Sequence, residues 1–376
     1  MRGCTRVGGA RHDEVDLNAP RIHRLGQAVT GRAKAASDKG WKLPPEHKDT
    51  HCSISVVCAK GLKWAWYIDH VPTPMKDTAE QTWSTRTLLA WIEGHLAERS
   101  IEEPGLVARW LMSRAIGTDP IHLYTDLDRP ASAQERATLR ELVKRASANE
   151  PVQYLLGEGG FLGRQFEVGP GVLIPRTATE GIVQHVLTWH RGLDRDIRPD
   201  PLWIADIGTG SGCIGITLAM QLPTARVVAV DVSVDAVAFA KRNASTHEVE
   251  ERVEIVEGNL CEPLKGRGRD GCFDVIVSNP PYIGDARYEQ LQPNVKSFEP
   301  ALALRGGSDG LDIVRTLFGT APKFLAPGGV LVVETDDINA TEACHIAEST
   351  GTLVECRVLK DEFGDKRFVR AERSSA

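Results

Sequence analysis

The chain has 376 residues, 41% of them apolar, with a net charge of -6 and a pI near 6.0. That length houses the cores of two folded domains at roughly 100–200 residues each, and the acidic balance disfavours an extended electrostatic grip on nucleic acid. No stretch reaches the ~18–20 uninterrupted apolar residues of a membrane helix. Arg2 and Arg6 lead into no apolar run, so the N-terminus lacks the pattern of a secretory signal. The eight cysteines, Cys4, Cys52, Cys58, Cys213, Cys261, Cys272, Cys344 and Cys356, include no CxxC pair and read as reduced thiols of a cytoplasmic protein.

Residues 1–74 carry no sustained helical or strand period. They are expected to be a disordered extension, or the product of a start codon assigned too far upstream, with Met75 the natural start. His47, His51, Cys52 and Cys58 within this stretch match no zinc-binding spacing. From Thr82 the pattern becomes helical: Leu88, Trp91, Ile92, His95 and Leu96 form one stripe. A second helix is predicted after Pro104, with Leu106, Val107, Trp110, Leu111 and Ala115 inward and Gly117 as its stop. A third opens on a Ser132/Glu135 capping box and turns Leu139, Leu142, Val143 and Ala146 inward. Residues 75–150 thus predict a small helical domain. Residues 151–175 predict a connector, with Tyr154–Val168 read as two short strands around glycines.

Residues 176–376 predict an α/β domain. After a helix near Ala178–His190, strands and helices alternate: LWIADIG, SGCIGITLAMQL, RVVAVD, SVDAVAFAKRNAS, VEIVEGN, FDVIVSN, GLDIVRTLFGTAPKFL, GGVLVVE and NATEACHIAEST. Near-continuous apolar strands between helices specify a mostly parallel sheet covered on both faces. TLVECRVLKD and KRFVRAE have no helix between them and are expected to pair as an antiparallel hairpin. KGRGR at 265–269 reads as a solvated basic turn.

Ligands of such sheets bind beyond the carboxyl ends of the strands. The first strand of the domain runs into Gly208-Thr209-Gly210-Ser211-Gly212, a GxGxG loop that lets backbone approach a ligand closely and opens a helix. The next strand ends in Asp231, placed to accept hydrogen bonds from a ribose diol. The fourth strand runs straight into Asn279-Pro280-Pro281-Tyr282. Two prolines cannot continue a sheet, so the strand ends there and presents a side-chain amide, rigid carbonyls and an aromatic ring.

GxGxG, an acid after the second strand and NPPY after the fourth resemble a class I S-adenosylmethionine-dependent methyltransferase. NPPY-type motifs belong to enzymes that methylate planar nitrogens, adenine N6 or the side-chain amide of glutamine. The Asn279 side-chain oxygen and the Pro280 carbonyl can each accept one N–H of such an NH₂ group, aligning its lone pair for attack. Pro281 stiffens the loop, and Tyr282 is expected to pack on the planar group.

EPVQYLLGE (150–158), VGPGVLIPRTATE (168–180), GNLCEPL (258–264), SFEPALALRGGSDGLDIVR (297–315) and KDEFGDKR (360–367) resemble the HemK/PrmC family, glutamine N5-methyltransferases of peptide chain release factors. The resemblance runs from about Thr82 to Glu372. It implies S-adenosylmethionine held by Gly208, Thr209, Gly210, Ser211, Gly212 and Asp231, with Asn259 and Leu260 at the adenine. It implies that Asn279, Pro280, Pro281 and Tyr282 receive the glutamine of a release factor's Gly-Gly-Gln motif, with Asn279, Pro280 and Tyr282 catalytic and Asn279 also beside the cofactor. The enzyme is expected to be a cytoplasmic monomer with no membrane contact and no metal.

Three positions depart from the family pattern. Asn259 stands where an acid is usual, Thr-Ala-Thr-Glu (177–180) replaces Pro-Glu-Thr-Glu, and Glu334-Thr335-Asp336 replaces Glu-Ile-Gly. Alternative readings are a ribosomal-protein glutamine methyltransferase, an adenine-N6 DNA methyltransferase, and a non-catalytic module that docks release factors. A DNA enzyme calls for a basic target-recognition region and a base-flipping pocket. The intact glycine loop and NPPY argue against the non-catalytic module.

Overall fold

The computed structural model describes residues 83–194, 198–265 and 270–375. The expectations for residues 1–74, for the start at Met75 and Thr82, and for 266–269 of the basic run lie outside the described residues. Among the described residues, no helix is long and apolar enough to cross a membrane.

The first described elements are helices α1 (Thr85–Ala97), α2 (Pro104–Ile116) and α3 (Ala133–Ser147). Each begins and ends as its sequence dictates. Ser84 and Thr87 form a capping box on α1, Pro104 stands at the first turn of α2, Gly117 closes α2 at φ 76°, and Ser132 and Glu135 cap α3 reciprocally. Leu88, Ile92 and Leu96 are buried, while Trp91 and His95 stack on each other on the flank of α1, ring centroids 4.8 Å apart. On α2 the buried stripe is Val107, Ala108, Leu111 and Met112, with Leu106, Trp110 and Ala115 only half-buried. The stripe is turned from the expected one because α2 packs against α1, α3 and the next helix together.

That helix, α4 (Val152–Leu156), corrects the sequence reading of Tyr154–Leu156 as strand. Tyr154 and Leu155 are adjacent and both buried, which a half-exposed strand does not allow, and Gly157 ends the turn at φ 82°. The hairpin follows as β1 (Glu158–Phe161) and β2 (Arg164–Glu167).

Helix α5 (Glu180–Gly192) then leads into β3 (Trp203–Ile207), α6 (Cys213–Gln221), β4 (Arg226–Asp231), α7 (Val234–Thr246), β5 (Val253–Glu257) and β6 (Phe273–Ser278). Two short helices, α8 (Asp285–Tyr288) and α9 (Pro293–Phe298), precede α10 (Asp312–Thr320), β7 (Leu325–Glu334), α11 (Ala340–Ser349), β8 (Leu353–Lys360) and β9 (Lys366–Arg373). The seven-stranded sheet has the order β5-β4-β3-β6-β7-β9-β8, with β9 antiparallel to both neighbours and all other pairs parallel. This is the mostly parallel sheet with an antiparallel C-terminal hairpin that the alternation predicted.

Strand alternation divides the core. Val227, Ala229, Val275, Val277, Val330 and Val332 face α5, α6 and the hairpin aromatics Phe161 and Phe166. Val228, Val230, Ile276, Leu331 and Val333 face Val314, Leu317 and Phe318 of α10 and Ala343 and Ala347 of α11. Both faces are apolar because both are covered. Successive strands 3-4-5 run to one side of β3 and β6 begins the other, so the chain reverses direction between β3 and β6. A crevice opens at the carboxyl ends of strands at such a reversal.

Candidate active site

The register at that reversal places the two motifs side by side. Ile207 pairs with Ser278, and the Ser278 hydroxyl donates to the Ile207 carbonyl at 2.6 Å. The next residues, Gly208 and Asn279, therefore leave adjacent strands together, and both line one cavity. Gly208 and Gly210 have φ of 72° and 57°, and a Cβ on either would meet nothing closer than 3.8 Å. Both need the left-handed region that glycine tolerates.

Beneath the loop, Asp206 is fully buried. Its Oδ2 accepts from the Thr209 hydroxyl at 2.6 Å and the Gly215 amide at 2.9 Å, which ties the loop to the first turn of α6. Burial pushes its carboxyl up to about 6, against those two hydrogen bonds. Its Oδ1 is buried without a protein partner. Asn243 of α7 steadies the loop from the other side. Its Nδ2 donates to the Ser211 and Glu167 carbonyls at 2.8 and 3.0 Å, and its Oδ1 accepts from the Glu167 amide at 2.7 Å.

Asp231, at the end of β4, accepts from the Gly210 amide at 2.8 Å and the Ser233 amide at 2.9 Å, one on each carboxylate oxygen. Each oxygen keeps a lone pair for a ligand hydroxyl. Burial raises its pKa against those amide bonds. Asn259 and Leu260, after β5, line the same cavity.

The cavity lining includes Gly208, Thr209, Gly210, Ser211, Asp231, Asn259, Leu260, Asn279 and Pro281 of the residues singled out in the sequence. Gly212, Pro280 and Tyr282 lie off it. Gly212 caps α6 at φ 84°, where a Cβ would come within 2.6 Å of Ile216. Its requirement for glycine comes from helix packing. The Tyr282 hydroxyl donates to Glu334 Oε1 at 3.0 Å, and burial followed by the nearby Glu334 charge raises its pKa.

The segment after NPPY folds back as a wall, with Pro300, Leu302 and Ala303 lining the cavity opposite Val172–Arg176. Glu299, 5% exposed, joins the two walls, accepting from the Ile174 amide at 3.2 Å and pairing with Arg176. Gly306 and Gly310 allow this path, since a Cβ on them would come within 2.7 Å of the Pro281 carbonyl and 2.3 Å of the Tyr282 carbonyl.

Two groups stand outside the site residues chosen from the sequence, although Glu334, at a strand end, reads there as either a cofactor neighbour or a carboxylate one layer behind it. Thr179, 2% exposed, accepts from Asn279 Nδ2 at 3.0 Å and lines the cavity. Glu334, fully buried at the end of β7, faces Thr179 and Tyr282. Burial pushes it up to about 7, although its Oε1 accepts from the Tyr282 hydroxyl, and its Oε2 is buried without a protein partner. Local pattern marks Thr179 only as lying at a helix start. Of the departures from the family pattern, Asp336 is 5% exposed and paired with Arg287.

The residues fit S-adenosylmethionine. A glycine loop at a helix N-terminus suits an amino-acid carboxylate, the orphaned Asp206 oxygen is a buried acceptor beneath that loop, and Asp231 retains acceptor capacity for a diol.

Sequence comparison agrees with this geometry. Residues 87–157 match the PrmC N-terminal domain family, and residues 198–295 match the methyltransferase small domain family. The chain is similar to a release factor glutamine methyltransferase of Geobacter sulfurreducens, 44% identical over 289 residues, covering 77% of this chain and 96% of the relative. It is 39% identical over 282 residues to one of Chlorobaculum tepidum, covering 75% and 95% of the two chains. With one of Rhodopirellula baltica it shares 35% identity over 301 residues, 80% of this chain and 100% of the relative.

Proposed function

The chain belongs to the release factor glutamine methyltransferase family, and from that premise we propose how its own residues carry out the reaction. It is an S-adenosylmethionine-dependent enzyme that methylates a glutamine side-chain amide of a peptide chain release factor. S-adenosylmethionine supplies the electrophilic sulfonium methyl group. Gly208, Thr209, Gly210 and Ser211 hold its amino-acid end, Asp231 the ribose hydroxyls, and Asn259 and Leu260 the adenine. Asn259 can accept from the adenine amino group without bringing a charge.

The glutamine amide is a poor nucleophile because its nitrogen lone pair is delocalised into the carbonyl. Asn279 Oδ1 and the Pro280 carbonyl each accept one N–H, turning the lone pair out of conjugation and favouring a pyramidal nitrogen in the transition state. Pro281 holds the loop rigid. The proton leaves the nitrogen after the methyl arrives, so no strong base is required beforehand. The Pro300–Ala303 wall excludes water from the reacting groups. Tyr282 acts by bracing the loop through Glu334.

The observation that carries this reading is the register of Ile207 with Ser278, which brings the glycine loop and Asn279 to one cavity. A glutamine between two glycines suits the narrow site, because no flanking side chain obstructs its approach. In the same proposal, residues 75–150 form a domain that contacts the release factor, residues 151–175 a connector and residues 176–376 the catalytic domain. The enzyme works as a cytoplasmic monomer and takes no grip on nucleic acid, in keeping with its net charge of -6.

The test compares intact release factor, a ribosomal protein and an adenine-containing duplex with labelled cofactor. Labelling of the release factor, abolished by Gln→Ala in its Gly-Gly-Gln loop, is expected. Preferential labelling of the duplex would overturn the reading.

A further inference from the structure

We propose that Arg176 is a specificity-determining residue that donates to main-chain carbonyls of the polypeptide carrying the target glutamine, and that Glu299 is the positioning residue that aims it. The proposal rests on the reading of the substrate as a glutamine within a protein. Arg176 and Ile174 are shared by two openings. They line the reaction cavity together with Asn279, and they also line a groove bounded by Val107 and Trp110 of α2, Val152 of α4 and Pro293 and Val295 of α9. With a glutamine amide at Asn279, the chain that bears it has a way out of the cavity past Arg176.

The guanidinium is held at one end and open at the other. Its Nη2 donates to Glu299 Oε1, while Glu299 Oε2 accepts from the Ile174 amide at 3.2 Å. The Glu299 side chain is 1% exposed against 38% for Arg176, so the carboxylate is the fixed anchor of the pair. Among the described residues, Glu299 is the one group to which the guanidinium donates. Arginine carries its N–H donors in a rigid planar fork, so donors remain for a ligand in a direction that the ion pair sets. The Thr179 amide closes on the Arg176 carbonyl at 3.1 Å, and the Thr179 hydroxyl accepts from Asn279 at 3.0 Å. One short turn therefore ties the donor for the main chain to the group that receives the side-chain amide.

Charge decides which ligand suits those donors. Glu299 compensates the guanidinium, so the pair offers directed N–H groups with little net positive field. That suits a neutral carbonyl, whereas a phosphate gains less here than it does from a lone arginine. A polypeptide that carries its glutamine into a narrow cavity takes its own carbonyls out of water, and each one left unpaired costs about 1–3 kcal/mol. Glycines beside the glutamine have no side chain to shield those carbonyls, so the fork can reach them.

Steady-state methyl transfer to intact release factor tests the proposal, with cofactor Kd measured for every protein. Arg176→Met alone leaves the buried Glu299 charge without its partner and threatens folding. The variant used is therefore Arg176→Met/Glu299→Gln, in which the new side-chain oxygen can still accept from the Ile174 amide. Its KM for release factor is expected to rise about 10-fold, the scale of one hydrogen bond to a charged donor, with kcat and cofactor Kd near wild type. A loss of folded enzyme would lower apparent kcat and leave KM unchanged, so the KM rise separates recognition from stability. Glu299→Gln alone leaves the guanidinium uncompensated. At constant ionic strength it should make inorganic phosphate about threefold or more stronger as an inhibitor competitive with release factor. The proposal is overturned if the double variant keeps the wild-type KM, if cofactor Kd rises by the same factor as KM, or if phosphate inhibits Glu299→Gln no better than wild type. A wild type that labels no release-factor glutamine would overturn the functional reading, and this proposal with it.

Discussion

Ser278 and Ile207 are paired in adjacent parallel strands, and the Ser278 hydroxyl closes on the Ile207 carbonyl at 2.6 Å. That pairing aligns the ends of β3 and β6, so a cofactor-binding loop and a substrate-binding loop, some 70 residues apart in sequence, emerge as neighbours. The chemistry follows from this alignment, and each part of it can be tested separately.

Asp231 stands at the cofactor side. Asp231→Ala is expected to weaken S-adenosylmethionine binding by roughly 1.5–3 kcal/mol, the scale of losing hydrogen bonds to a charged acceptor. Part of the loss comes through the Gly210 amide, which Asp231 holds at 2.8 Å. Calorimetric titration of the folded variant measures it, and an unchanged Kd would remove Asp231 from the site.

Asn279→Ala should separate binding from chemistry. Cofactor affinity should stay near the wild-type value, while kcat falls by about 10²–10³, the magnitude of removing one preorganised polar contact to a transition state. Turnover within threefold of wild type would mean that another group holds the target nitrogen.

Asn243→Ala tests the support under the glycine loop. It leaves the Ser211 carbonyl without its partner in a buried setting, an unsatisfied group that costs about 1–3 kcal/mol, and also removes a part-buried bond from the Glu167 amide. A fall in Tm accompanied by weaker cofactor binding is expected, because Ser211 is part of the loop. A fall in Tm with unchanged cofactor Kd would mean that the loop holds its shape without Asn243.

Glu334 gives a pH signature. Burial raises its pKa from 4.5 to about 7 in the folded protein, against the hydroxyls of Thr179 and Tyr282 and the charges of Arg367 and Arg176. The folded state therefore binds more protons than the unfolded state between those values, and wild-type stability is lost as pH rises from about 4.5 through about 7. Glu334→Gln removes this titration. Its stability relative to wild type should rise across that window by on the order of 3 kcal/mol, at about 1.4 kcal/mol per pKa unit. Asp206 also titrates, up to about 6, but is common to both proteins and cancels. Denaturant unfolding at pH 4.5 and pH 8 checks the sign, and a pH-independent difference would mean that Glu334 titrates at its ordinary value.

The sequence by itself determined the elements and the two loops that matter. Capping boxes, Pro104 and Gly117 set the helix limits because these signals are local. The apolar strands could belong only to a sheet covered on both faces, and NPPY could only end one. The sequence misread Tyr154–Leu156, where glycines nearby suggested a hairpin from the start and burial on successive residues made a helical turn instead. Gly212 and Tyr282 were legible as motif members, but their orientation was not. Gly212 yields to Ile216, and Tyr282 turns to Glu334. Only the tertiary structure joined Thr179 to Asn279 and Tyr282 to Glu334, because hydrogen bonds between residues 100 and 52 positions apart depend on strand order and register, and no periodicity along the chain encodes either.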